Sequence, residues 1–362
     1  MLAGQIVYFA AYDVSYDVAR NLVRAVLGTP LVPFTLDPTR RLPQSLLTDG
    51  VWVANLPPFA VQTPKGPATA VCQLKLFAVG AISLTVRVPF QVDGLETLVP
   101  FHQVAINNRP LHDHLRELAE SVFVDLKTCL INPVKALVPD EAYTLFFIDA
   151  QQSDIVDAEA WFLTRRAAVA ALLTEEDDAT ALAACEIEES TARRLSYYRD
   201  DLLAVDWDAA LAVDVAARLE EVVYPMELAN VQLAELEALD QMLDQINTRA
   251  YADVRGRRAS ASLTAIESAR IDLARIAELL DNTGKLLGDW HLARIYRLTA
   301  ERFHIPGWFA AVERKRQTLD DIHQSIKADR NHRLMVILEV AIVVLFIIDL
   351  IPLAMEFMGM KK

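Results

Sequence analysis

Cysteine is scarce in this sequence. Cys72, Cys129 and Cys185 are scattered through 362 positions with no CxxC pair. That spacing excludes a disulfide framework and a thiolate zinc site of the usual kind. Basic charge is short as well: 35 Lys and Arg stand against 49 Asp and Glu, a net charge of −14. A chain this acidic repels phosphate backbones, so nucleic acid is not an expected partner. Dinucleotide fingerprints, phosphate loops, nucleophile elbows and HExxH are all missing, and with them the usual sequence marks of an enzyme. His112 and His114 sit at i and i+2, about 200° apart on a helix, where a metal wants i and i+4. The expectation is a protein with no catalytic residue, no metal and no cofactor. The opening MLAGQIVYFA has no basic segment and is not read as a signal peptide.

What is present is a long apolar run. Leu334 to Ile348 reads LMVILEVAIVVLFII, broken only by Glu339, and DLIPLAMEFM carries it to Met358. Those 25 residues exceed the about 20 that cross a hydrocarbon core, so the sequence predicts one transmembrane helix over 334–358 with a tail at 359–362. Arg314, Lys315, Arg316, Lys327, Arg330 and Arg333 precede it, and only Lys361 and Lys362 follow. The positive-inside rule then holds the bulk of the chain in the cytoplasm. This predicts a tail-anchored, single-pass protein with membrane lipid as a partner, in a bacterial inner membrane or, in a eukaryote, the mitochondrial one. Relative to Glu339, Asp349 and Glu356 fall at about 280° and 260° around the helix. The three acids form one stripe, an oligomer contact or an ion site.

Long helices lead into this segment. Leu219, Val222, Met226, Ala229, Leu233, Leu236, Leu243 and Ile246 step by three, four or seven, with Asp240 in one slot. They mark a coiled-coil-like seam. A second helix is expected from about Leu263 to Phe303, with Ile266, Leu273, Ile276, Leu280, Leu287 and Trp290 inward. A third follows the break at Ile305-Pro306-Gly307 and runs to about 357. Its apolar stripe is spoiled by Lys315. Three such helices pack most simply as an antiparallel bundle. Residues 154–189 hold ten acids and two bases, a balance of −8, and are read as solvated helix ends and loops.

The first 150 residues alternate differently. Strands are expected at Gln5–Tyr12, Val32–Leu36, Val51–Leu56, Ala70–Phe77, Ile82–Pro89 and Tyr143–Ile148. Helices are expected from Ser15 to Leu27 and from Asn108-Arg109-Pro110 to about Leu130. The predicted fold is an α+β N-terminal domain (1–150), a long-helix, coiled-coil-like bundle or stalk (151–333) and one C-terminal transmembrane helix.

One motif carries a resemblance. Ser196-Tyr197-Tyr198-Arg199-Asp200-Asp201-Leu202, then Asp206-Trp207, then Trp308 with Arg314-Lys315 and Leu319-Asp320, then Leu338-Glu339 with an acid ten residues on. In this arrangement the chain resembles the family called required for meiotic nuclear division (YagE type, domain of unknown function 155). That resemblance implies a membrane-anchored, non-enzymatic protein with no catalytic residues to transfer. Tyr197, Tyr198, Asp200, Asp201, Trp207, Arg314 and Lys315 are its motif positions. Asp200-Asp201 is expected to cap or pin a following helix.

The function expected is a membrane-tethered scaffold that forms homo-oligomers through stalk and span and displays a surface to an unidentified cytoplasmic protein. The alternative is a subunit of a magnesium or cation channel or transporter resembling the CorA plan, using the intramembrane acids. That plan needs a second span and a Gly-Met-Asn signature, whereas here Gly359-Met360 is followed by Lys361.

Overall fold

The computed structural model describes residues 1–19, 25–36, 50–137, 141–256 and 290–357. Its first unit comprises Met1–Leu239 and Ala274–Ala310, and its second Asp240–Leu273 and Ala311–Lys362.

The first unit is organised by a sheet of eleven strands. Strand β1 (Leu2–Asp13) lies near its middle, and β2 (Ser15–Val18), β3 (Ala25–Val26), β4 (Thr29–Pro30) and β5 (Val32–Pro33) follow. Then come β6 (Val51–Thr63), β7 (Gly66–Phe77) and β8 (Ala81–Val92), a long antiparallel meander. Next are β9 (Ala105–Ile106), β10 (Arg109–Pro110), helix α1 (Leu111–Leu126), β11 (Leu130–Pro133) and β12 (Glu141–Asp149). Helices α2 (Ala158–Thr164), α3 (Arg166–Leu173) and α4 (Ala184–Ser190) precede β13 (Arg194–Leu195), β14 (Leu202–Val205) and β15 (Ala209–Asp214). The sheet order is β10-β9-β6-β7-β8-β1-β12-β15-β14-β13, with β5 added beside β6. Every pairing is antiparallel except β12 with β15.

Alternation explains both faces. Ile6, Tyr8, Ala10 and Tyr12 of β1 share a core with Leu74, Leu84, Leu111, Leu115, Val122, Phe162 and Leu172, so α1, α2 and α3 cover one side. Ala11, Phe34, Val53 and Phe77 point the other way and meet Tyr224, Val231 and Ala234 of α5 (Leu219–Gly256). Full burial of a large aliphatic or aromatic side chain is worth about 1.5–3 kcal/mol. At the β7–β8 turn, Gly80 has φ +96°, and a Cβ there would lie 1.9 Å from the Ser15 carbonyl oxygen. Only glycine fits.

A charged pair is enclosed in the second core. Lys75 of β7 and Glu227 of α5 are both fully buried and ion-paired. Thr85 donates to the other carboxylate oxygen at 2.9 Å, and the Lys75 ammonium lies 4.8 Å from the Phe34 ring centre.

Several expectations are corrected. The expected helix at Ser15–Leu27 is two strands where it is described: Ser15–Val18 pairs with Leu130–Pro133, and Ala25–Val26 with Thr29–Pro30. A short apolar run fits either period, and a partner more than a hundred residues away decides it. The sheet does not stop at β12 but continues into β15, β14 and β13. The α+β head followed by a coiled-coil-like bundle is therefore replaced by a large mixed-sheet architecture. Helix α5 is present, but Tyr224, Val231 and Ala234 along it pack on the sheet rather than in a supercoil. Of the second long helix, only α6 (Trp290–Arg302) is described, and Trp290 is exposed, not inward. Ile266, Leu273, Ile276, Leu280 and Leu287 lie outside the described residues. Helix α7 spans Ile305–Phe357, with Pro306 in its first turn.

The membrane-spanning expectation is also overturned. Among the described residues no helix is long and apolar enough to cross a membrane. The transmembrane helix, the tail anchor and the inner-membrane location built on it are therefore not supported.

The buried pair yields a stability prediction. Glu227→Ala leaves an unpaired ammonium in an apolar enclosure and is expected to cost about 3–5 kcal/mol in urea unfolding. A Lys75→Met, Glu227→Leu double variant should recover most of that loss. A single variant as stable as the parent would disprove the role given to the pair.

Candidate functional site

The loop between β13 and β14 holds the aromatic–acid motif, and its geometry follows from one carboxylate. Asp201 accepts the backbone N–H of Tyr197 at 2.6 Å on one oxygen and that of Tyr198 at 2.9 Å on the other. Ser196 closes the turn by donating to the Tyr198 carbonyl at 2.9 Å. A strand, β14, follows the two aspartates, so Asp201 pins the loop before it and does not cap a helix.

Arg218, at the end of the short 3-10 turn Ala216–Arg218, gathers the remaining charges. Its guanidinium donates to Asp200 at 3.0 Å and lies 4.0 Å from Asp201 and 2.7 Å from Asp214. Tyr198 lies beneath it, ring centre at 4.7 Å. Tyr197 stands 4.7 Å from Tyr198, 5.8 Å from Trp290 and 5.3 Å from His291, centre to centre. One cation thus faces three carboxylates below an aromatic cover. Burial pushes the Asp214 carboxyl up to about 7; the Val215 N–H and Arg218 oppose that shift, while Asp201 and Asp200 reinforce it. Protonation of Asp214 at lower pH removes one of the three negative charges around Arg218.

Other motif positions are placed elsewhere. Trp207, in the β14–β15 turn, stacks 4.7 Å from His304 and 4.9 Å from the Arg302 guanidinium, which is ion-paired with Asp206 and reaches Glu189 at 3.3 Å. In the second unit, Lys315 binds Asp240 at 2.7 Å and Asp244 at 2.8 Å. The two polar residues that spoil the helical stripes answer one another. Arg314 is exposed and Arg316 pairs with Glu313 and Asp320. Glu339 is exposed on α7, and the side chains of Asp349 and Glu356 lie outside the described ones. Among the described residues, no three His, Cys, Asp or Glu side chains form a metal-holding group.

Sequence reasoning brought Tyr197, Tyr198, Asp200 and Asp201 to one place but missed Arg218 and Asp214, which organise them. An arginine four residues after a strand-ending aspartate was the available signal. It was masked by the apolar seam that begins at Leu219.

The site and sheet define a mixed-sheet protein whose motif loop is clamped by a buried arginine–carboxylate cluster. Residues 3–218 match the family described as uncharacterized protein MJ0711, N-terminal domain, and the chain belongs to that family. That span takes in all fifteen described strands but for Leu2 and ends at Arg218. Uncharacterized protein MJ0711 of Methanocaldococcus jannaschii is 26% identical over 169 residues, which cover 46% of this chain and 52% of that protein. The chain thus spans about half the length of this curated relative. No solved structure matches it. The match corrects the resemblance to the meiotic nuclear division family: the short Tyr-Tyr-Arg-Asp-Asp stretch is a local loop clamp, and a few residues of that kind do not carry a family.

Asp214 gives a pH prediction. With its folded value above that of the free carboxyl, the folded chain keeps a proton the unfolded chain releases between about pH 4 and 7. Stability from this group is greatest at low pH and declines as pH rises through that window. The stability of the parent minus that of Asp214→Asn, from urea curves, should therefore fall between pH 4 and 7 and level off above. A difference independent of pH would contradict it.

Proposed function

We propose that the chain is a non-enzymatic scaffold that assembles with copies of itself through the apolar part of α7. The observation that carries this is exposure: fifteen large apolar residues between Leu334 and Ile351 are 42–69% exposed. Monomeric proteins rarely leave so much contiguous apolar surface in water. The exposed residues are consecutive, so they lie on every side of the helix rather than along one stripe. A single groove covers one side only, whereas a bundle of identical helices covers all of them, and symmetry supplies the complementary surfaces.

The first half of α7 supports this division of labour. Val312 and Leu319 are fully buried there, and Lys315 is tied to Asp240 and Asp244. The helix is held at that end and offers its other end. An assembly of this kind would present several copies of the mixed sheet to a protein partner. The cation-channel reading presupposes a crossing helix and is not carried further.

Analytical ultracentrifugation of the full chain at micromolar concentration tests the proposal. An oligomer is expected, shifted to monomer in an Ile337→Lys, Val344→Lys double variant whose circular dichroism is unchanged. A full chain that sediments as a monomer, or a variant that stays assembled, would refute it.

A further inference from the structure

A second feature of the first unit lies away from the motif loop. A cleft of about 600 Å3 opens where β1 and β12 run below the start of α1, within the about 300–1,000 Å3 typical of small-molecule sites. Its origin is visible in the strand register. Ala10 stands opposite Ala142, and Tyr8 opposite Thr144, so positions on one sheet face carry two methyl groups where their neighbours carry large side chains. Leu111 and Leu115 of α1 and Val104 close the apolar wall. Tyr8 contributes its ring, because its hydroxyl is spent on the Phe101 carbonyl at 2.6 Å.

The charges around the rim are not balanced. Arg109 is answered by Glu117 at 2.9 Å. Glu175 is answered by His102 Nδ1 at 3.0 Å, whose Nε2 faces the Leu172 carbonyl at 2.8 Å. Asp208 also lines the cleft. Its backbone carbonyl takes the Thr144 N–H at 3.1 Å, which fixes the residue beside the floor. Among the described residues its exposed carboxylate has no hydrogen bond or ion pair. The rim therefore carries, in Asp208, a carboxylate that has no hydrogen-bond or ion-pair partner among the described residues and stands over an apolar floor.

We propose that this cleft binds a small organic amine, its ammonium group held at Asp208 and its apolar body against the exposed Ala142 and the edges of Leu111 and Leu115. Charge complementarity favours the cation over an anion of the same shape, because a carboxylate would meet Asp208 and Glu175 while Arg109 and His102 are already paired. The alanine pair selects a body that fills the space.

Isothermal titration calorimetry on the full chain with 4-phenylbutylammonium, and with 4-phenylbutyrate as the matched anion, tests this. Saturable binding of the amine is expected, with no binding of the carboxylate. Asp208→Asn, an exposed substitution, should weaken the amine at least tenfold. Ala142→Phe should abolish binding by filling the cleft, with circular dichroism confirming that both variants keep the parent fold. Three results would each overturn the proposal: no amine binding at millimolar concentration, equal or tighter binding of the carboxylate, or amine affinity unchanged in both variants.

Discussion

The parallel pairing of β12 with β15 is the constraint on which the first unit depends. Thr144 to Asp149 run beside Ala209 to Asp214 in the same direction, whereas every neighbouring pair in the sheet is antiparallel. A parallel neighbour cannot be reached by a tight turn; the chain must travel back along the sheet first. Residues 150–208 do this, and α2 and α3 use the journey to cover the sheet with Phe162, Val169 and Leu172. The same pairing sets the Asp208 turn beside Thr144 and brings Asp214 to the entry of α5. Both the clamp and the cleft are consequences of it.

Buried polarity in this protein is paired rather than avoided. Lys75 and Glu227 tie the sheet to α5, and Arg218 collects the buried Asp201 and Asp214 with the exposed Asp200, while Lys315 meets Asp240 and Asp244 nearer the surface. Each pairing joins residues that are distant in sequence or sit on different elements. Such a charge is expensive without its partner, so each pair discriminates one arrangement of elements from its alternatives. Hydrophobic burial supplies the drive to collapse, and these pairs restrict which collapse is acceptable.

That division also explains what could be read from the sequence. The long strands β1, β7, β8 and β12 were legible because each is an extended apolar run rich in β-branched and aromatic residues between turn signals, although β1, β8 and β12 are buried on both faces. The α5 seam was legible from its steps of three, four or seven. Ser15–Val18 was not, since its structure depends on Leu130–Pro133, far along the chain. The continuation of the sheet past β12 was hidden because β14 and β15 are short and alanine-rich, and their burial on both faces erases alternation. At the motif loop, the side chains with distinctive spacing were visible, while Arg218 and Asp214 stood at the border of two elements and belonged to no pattern. Lys315 and Asp240 looked like separate defects in two stripes. Only the fold shows that they are one contact.

Helix α7 carries the argument from fold to assembly. Its two halves obey different rules: in the first, apolar residues recur on one side and are buried; in the second, they occupy every side and are exposed. A one-sided stripe is satisfied by one surface, and Val312 and Leu319 are covered in this way. An all-round apolar surface is satisfied only by several surfaces at once. Glu339 lies within that second half, and covering it requires a partner for its carboxylate as well as its neighbours' methyl groups. Identical helices meeting around an axis would bring several such carboxylates together, which is costly unless they share protons or accept donors from one another. In the proposed assembly Glu339, with Asp349 further along, would limit how closely and in what register copies approach, a specificity that an uninterrupted apolar helix would lack.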